Sequence, residues 1–358
     1  MRMKKTCFYF SQLPGERAKQ LYRAILYSVR EQRDTAVVER AGLNREEIRQ
    51  VLYAVRYDYP ELFYMTLFGE GCSYTLYENG DRTVQFRYLH PLEEQRKKIQ
   101  ENEEFIRYLL SHVPDKVLPS QYLTALWLHD LVAKNVRYDH AAREAGAEER
   151  PEAYSIEGSV HGKKAVCSDI AQLYMMLCER MGIWCTYVAG ETRMSEEDRQ
   201  NNVEGAVGRR AWNLLRLDGI YTYVDVTWDL QEDAPFISHY YFGMSEEQCR
   251  RERTPDRMFP GIRLPVSPTP NPMNYYVHKR CYFRSVAELR AYLLRQLGRR
   301  KELLYFQLDP RGMPCGVLCQ RVREWIEHYL KTAAKHVASW MVWYHETMLV
   351  FRYQITYR

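Results

Sequence analysis

The chain has 358 residues, too long for one ordinary domain and short for more than three. Hydrophobic residues make up 46% and charged residues 27%, a globular balance that excludes disordered, collagen-like and low-complexity readings. Basic residues exceed acidic ones by 51 − 46 = 5, too small a surplus to announce a nucleic-acid partner. The nine cysteines, at 7, 72, 167, 178, 185, 249, 281, 315 and 319, are odd in number and irregularly spaced. That pattern argues against a secreted disulfide framework and for reduced thiols, any one of which could be a nucleophile. The start, Met1 to Ser11, is basic like a signal peptide, but its apolar run Cys7–Phe10 is far short of the roughly 7–15 residues of an h-region. No stretch approaches the ~20 apolar residues of a membrane span. The expectation is a soluble, cytoplasmic protein with no membrane partner.

In chain order, Leu21, Ile25, Leu26 and Val29 repeat at helical spacing. Asn44-Arg-Glu-Glu reads as an N-cap with acidic residues in the first turn, opening a helix that Pro60 stops. Segments 74–77 and 83–88 flank Glu78-Asn-Gly-Asp, a hairpin turn signal. A charged stretch from 92 becomes a helix ending near His112, and its Arg96-Lys-Lys run reads as a solvated face. These elements make an N-terminal α+β region, residues 1–112. The next unit, 113–250, opens on a helix with Leu123, Leu126, Trp127, Leu131 and Val132 as its apolar face. A polar loop follows from about Tyr138 to Val166, long enough to suggest function. Cys167 ends it, and Ser168-Asp169 can cap a helix bearing Ile170, Leu173, Tyr174, Leu177 and Met181, closed by Gly182. Cys178 and Cys185 sit among apolar residues and read as packing. Trp184–Val188 is a strand, 191–208 a polar mobile loop, and 211–217 and 220–227 two strands joined by Asp218-Gly219. Prolines 255, 260, 265, 268, 270 and 272 mark 251–274 as a linker. The last unit, 275–358, reads strand 275–283, helix 285–299, strand 303–308, helix 317–337 and a terminal strand pair, a small α/β domain.

Cys167 is the sharpest chemical feature. Directly before a helix, its sulfur meets converging backbone N–H groups and the positive end of the macrodipole, which favours thiolate. The hairpin around 218–219 pairs Trp212 with Asp225 and Arg210 with Thr227, so Arg210 and Asp225 lie diagonally within reach of each other. A thiol acyl-transfer site places a histidine base and an orienting aspartate in this way.

Gly158-Ser-Val-His-Gly-Lys-Lys-Ala-Val-Cys-Ser-Asp-Ile-Ala, with Ala211-Trp-Asn, Asp218-Gly and Val224-Asp-Val-Thr-Trp-Asp, resembles the bacterial transglutaminase-like (papain-like) family. Leu128-His-Asp-Leu-Val-Ala-Lys-Asn-Val-Arg-Tyr-Asp and His239-Tyr-Tyr-Phe-Gly-Met-Ser-Glu-Glu extend the likeness over about 122–247. Tyr57-Asp-Tyr-Pro-Glu-Leu-Phe-Tyr and Asn274-Tyr-Tyr resemble the flanks of multidomain members. The resemblance implies an α+β fold whose core helix starts at the cysteine and packs on an antiparallel sheet. It also implies a Cys-His-Asp triad, with Cys167 and Asp225 at two of the positions. The histidine position, just before Ala-Trp-Asn, holds Arg210. Arginine stays protonated at neutral pH and cannot accept the thiol proton. The expectation is an Arg210–Asp225 ion pair that closes the site.

His161, six residues before Cys167, is the candidate substitute base; His129 reads as a hydrogen-bonded core residue. Trp212, Trp228 and His239 are read as cleft-lining, the two tryptophans otherwise as packing. Cys315 and Cys319 with His328 or His336 lack the paired spacing of a zinc site, so no metal and no cofactor is expected. Two functions follow from the resemblance. One is a catalytically degenerate homologue keeping a peptide- or protein-binding cleft. The alternative is an active thiol peptidase, amidase or acyltransferase working through a Cys167 thioester. The implied partner is a peptide or protein, not nucleic acid; oligomeric state is not legible in the sequence.

Overall fold

The structure, a computed structural model, describes residues 7–67, 71–192, 208–230, 234–255, 259, 262–309 and 315–358. Pro260 and most of the 191–208 loop lie outside the described residues.

The N-terminal region comprises α1 (Phe8–Gln12), α2 (Gly15–Arg30), β1 (Thr35–Val38), α3 (Arg45–Asp58), β2 (Cys72–Leu76), β3 (Arg82–Phe86) and α4 (Leu92–Leu110). The apolar stripe of α2 is fully buried. Asn44 and Glu47 form the reciprocal capping box of α3, satisfying two orphan N–H groups at its start. Asp58, at the other end of α3, is buried and accepts from the Tyr9 and Phe10 N–H groups and the Tyr22 hydroxyl, pinning α1 and α2. Strands β1, β3 and β2 form a three-stranded antiparallel sheet.

The central unit runs α5 (Gln121–Asn135), β4 (Arg137–Tyr138), α6 (His140–Ala145), β5 (Lys164–Ala165), α7 (Cys167–Arg180), β6 (Trp184–Thr192), β7 (Arg209–Leu217), β8 (Ile220–Val224), β9 (Phe242–Met244) and β10 (Arg253–Pro255). Its sheet has the order β10-β6-β7-β8-β9, antiparallel throughout. The Asp218-Gly219 turn has positive φ at both residues (47° and 85°), the twist a two-residue hairpin needs. The register pairs Asn213 with Val224, as the turn predicts. Helix α7 lies on this sheet, where the Asn213 amide donates to the Ala171 carbonyl at 2.9 Å.

Several expectations change. The buried residues of α5 include Tyr122, Ala125, Leu128, His129, Leu131 and Val132; of the expected stripe, Leu131 and Val132 are buried, Leu126 and Trp127 half-buried and Leu123 exposed, because a helix apolar on most sides is oriented by its neighbours. The 138–166 loop holds β4, α6, β5 and two short helical turns, with Ser155, Ile156, Glu157, Gly158 and Ser159 buried. Strand β8 stops at Val224 because Asp225 caps a helical turn, Val226–Asp229, by accepting from the Trp228 N–H. Within the stretch expected as linker, 253–255 is the edge strand of the central sheet.

The C-terminal unit opens with a helical turn, Tyr275–His278, rather than a strand, because the Asn274 side chain accepts from the Tyr276 and Val277 N–H groups. It continues through β11 (Tyr282–Phe283), helix Val286–Gly298, β12 (Leu303–Leu308), helix Cys315–Thr332, β13 (Val337–His345) and β14 (Val350–Tyr357), with sheet order β11-β12-β14-β13. Two cores follow from the alternation along β7. Ala211, Leu215 and Leu217 join the core shared with α7 and the N-terminal helices, while Trp212 and Leu214 join that of the C-terminal unit. The fold is α+β. No helix among the described residues is long and apolar enough to cross a membrane.

Candidate functional site

Cys167 is the first residue of α7, and the preceding residue, Val166, supplies no side-chain cap. Asp169 does not cap the helix; its carboxylate is buried and accepts from the N–H and hydroxyl of Ser159 instead. The Ala211 N–H, on β7, faces the Cys167 sulfur and favours its charged form. That placement brings position 210 beside the thiol. Arg210 lines the same cavity as Cys167, together with Ser168, Gln172, Tyr187 and Ala211. The Arg210 Nη1 donates to the Tyr138 hydroxyl at 3.3 Å, and its Nε is buried with no hydrogen-bond partner. Gly190 pairs with Arg210 on the neighbouring strand. A Cβ there would fall 2.3 Å from both the Thr254 carbonyl and the Trp212 ring, so glycine lets β10 and Trp212 close over the sheet.

Burial pushes the Cys167 thiol above its ordinary value; the Arg210 charge and the Ala211 N–H work against this without prevailing. The thiolate expected from the helix terminus is therefore disfavoured by desolvation. The Tyr138 phenol is pushed up to about 12, first by burial and then by Cys167.

The expected Arg210–Asp225 ion pair does not form. Asp225 is buried and binds Arg253, with Nη2 at 2.8 Å and Nε at 3.2 Å from the same carboxylate oxygen. Burial raises the Asp225 pKa against the pull of Arg253, whose own is held above its usual range. The Arg253 guanidinium also lies over Trp228 (4.3 Å) and Tyr241 (4.5 Å), and Nη1 reaches Glu252 at 3.3 Å. In Arg250-Arg-Glu-Arg, Arg253 stands in an all-charged run with no apolar spacing to mark an inward face. Nothing local marks its fourth residue as buried.

Two histidines are placed away from the thiol. His161 pairs with Glu101 at 3.7 Å on the surface and does not line the Cys167 cavity, so it is not placed as a substitute base. His239 is bonded to Asp130 at 2.8 Å and stacked on Tyr275, and it does not line that cavity either. Trp212 is fully buried in the second core rather than cleft-lining. Trp228 lines an adjoining cavity of about 380 Å³ with Tyr138, His140, Arg210, Tyr241 and His345. Arg210 thus stands between two cavities. Cys319 is buried in the C-terminal core, with Cys315 half-buried beside it.

His129, Asp130 and His239 bring three potential metal-ligand atoms within 4.8 Å of one another. In the structure they form a proton-bearing chain: Asp229–His129 at 3.2 Å, His129–Asp130 at 3.0 Å and Asp130–His239. Burial alone would lower the His129 pKa, but the bonds to Asp130 and Asp229 hold it up to about 9, and Asp130 stays below the usual carboxylate range. A raised histidine stabilises the fold in full below about pH 6.5 and loses that contribution as pH rises through about 9. The shift is worth roughly 3 kcal/mol. Urea unfolding at pH 6 and pH 9.5 is expected to show a loss of this size, and His129→Gln should flatten it. An equal pH dependence in that variant would refute the assignment.

Residues 115–226 match the family model of the transglutaminase-like superfamily. Among solved structures, the chain is similar to a TGase crystal structure at 15% identity and a TM-score of 0.29, over 58% of this chain and 54% of that one. It is also similar to a candidate cysteine protease from Cytophaga hutchinsonii at 12% identity and a TM-score of 0.25, over 44% of this chain and 61% of that one. The chain therefore spans little more than half the length of these two relatives. No curated protein matches it.

Proposed function

We propose that this transglutaminase-like protein is a catalytically degenerate member of its superfamily, keeping the cleft at Cys167 to bind a peptide or protein segment. The observation that carries this reading is the company of the thiol. Among the described residues lining its cavity there is no imidazole, and position 210 presents a guanidinium. A guanidinium can neither take the thiol proton nor return it to a leaving amine. The pairing of Asp225 with Arg253 supports the same reading, since the aspartate is committed to a cation that is not a base.

A second reading, an active thiol amidase or acyltransferase, draws on the Ala211 N–H at the sulfur and the Arg210 charge, both of which favour thiolate. Kinetics separate the two. The natural chain and Cys167→Ala are expected to hydrolyse p-nitrophenyl acetate and a glutamine-containing peptide at the same background rate. Alkylation of Cys167 by iodoacetamide should titrate above the ordinary cysteine value of about 8.5. Turnover that collapses in Cys167→Ala would establish the active reading instead.

A further inference from the structure

The cavity over Cys167 has a lopsided charge inventory. Among the described residues that line it there is no aspartate or glutamate, while Arg56, Arg209 and Arg210 all contribute. Arg56 comes from α3, and among the described residues its side chain donates from Nη1 to the Pro60 carbonyl at 3.3 Å. Burial brings its pKa down to about 10, the mark of a desolvated cation. Arg210 has its Nε buried and unpartnered, with only the Tyr138 hydroxyl at Nη1. The carboxylate expected to neutralise it, Asp225, is held by Arg253. Glu61 and Asp169 act on Arg56 from outside the wall, but among the described residues no carboxylate lines the cavity itself, so an entering anion would meet two guanidiniums and no acid.

Most of the rest of the wall is aromatic or apolar, with Tyr53, Tyr57, Phe63, Tyr154 and Tyr187 among the lining residues beside the polar Thr66, Ser155, Ser168 and Gln172. The Gln172 side chain, which is 5% exposed, donates to Ser168 and the Tyr154 carbonyl, and its Oε1 is left without a donor. The cavity is about 130 Å³. Engineered apolar cavities of about 150 Å³ admit benzene, so the space is on the scale of one aromatic ring.

We propose that this cavity is a receptor for a carboxylate carried on a single aromatic ring, the carboxylate held by Arg56 and Arg210 and the ring packed among the tyrosines. The guanidinium fork suits the planar carboxylate, which it can bind through two parallel hydrogen bonds. This rests on reading the site as a binding rather than a hydrolytic one. It names the bound chemistry, which a free small acid or the C-terminus of a peptide ending in phenylalanine could supply.

Calorimetry on the full chain tests it with four probes: phenylacetate, phenylacetamide, acetyl-Gly-Phe with a free carboxylate, and the same peptide as its amide. Each acid that fits should bind at least about tenfold more tightly than its amide. The tighter of the two acids identifies the source. Arg56→Gln and Arg210→Gln should each weaken the acid about tenfold or more, while Arg250→Gln, on an exposed pair with Glu246, should not. On the unaltered chain, the acid should slow alkylation of Cys167, a readout that needs no variant to fold. Equal binding of acid and amide, or saturating acid with no protection of Cys167, overturns the proposal. Ester turnover without added acid is measured separately, so failure here is distinguishable from failure of the degenerate reading.

Discussion

Arg253→Met is expected to destabilise the chain by about 3–5 kcal/mol in urea unfolding at pH 7, followed by tryptophan fluorescence. The Arg253 side chain is completely buried, and it is paired with Asp225 at 2.8 Å and Glu252 at 3.3 Å. It lies against the rings of both Trp228 and Tyr241, so its loss also removes cation–π contacts in a desolvated setting. Methionine fills similar volume but leaves a buried carboxylate with no counter-charge. Burial already raises the Asp225 pKa, and without Arg253 it should rise further. The folded state would then hold a proton that the unfolded state releases near pH 3.9. Stability therefore falls as pH rises from that value through the folded one, and the penalty at pH 5 should be smaller than at pH 7. Asp225→Asn should cost much less in the Arg253→Met background than in the natural chain, because the charge to be compensated is gone. A loss below about 1 kcal/mol at pH 7 would show that the pair is not what holds β10 to the domain.

Local chemistry was legible wherever one stretch of chain decides its own conformation. Asn44 and Glu47 cap each other, and Asp218-Gly219 sets both its turn and the register of β7 and β8. Cys167 begins its helix within a residue of the expected place. What could not be read was decided by partners distant in sequence. Arg253 finds Asp225 across 28 residues, and nothing in Arg250–Arg253 signals which arginine turns inward. The period of two along β7 puts Trp212 and Ala211 on opposite faces, but which face meets which core depends on the C-terminal unit packing there. The α5 stripe holds at Leu131 and Val132 but not at Leu123 for the same reason, since a helix apolar on most sides is oriented by its neighbours. Asp225 was recognised by motif, yet its backbone role ends the strand. It caps a helical turn, so the diagonal geometry drawn for an extended strand pairs it with the wrong arginine.

Arg210→His is expected to raise hydrolysis of p-nitrophenyl acetate by about 10²-fold at pH 8, with the gain abolished by Cys167→Ala. Arg210 lines the same cavity as Cys167 and its charge acts on the sulfur, so a side chain there already lies near the thiol. An imidazole would supply the proton acceptor that the guanidinium cannot. The gain should stay at the lower end of the 10²–10⁴ range for general acid–base catalysis, because Asp225, the carboxylate that the resemblance would make the orienter, is occupied. Asp225 spends one oxygen on Arg253 and the other on the Trp228 N–H. In a triad whose aspartate is made ineffective, about 10⁴ in rate is lost. Freeing Asp225 by removing Arg253 would meet the stability cost of the buried pair, so the single substitution is the informative one. The pH dependence carries a further check. Losing Arg210 removes the charge that lowers the thiol pKa, so the gain must come from neutral imidazole and should appear only above about pH 6.5. A gain already complete at pH 5, or one surviving in Cys167→Ala, would mean that the introduced histidine acts by itself. Position 210 would then not place a base for Cys167.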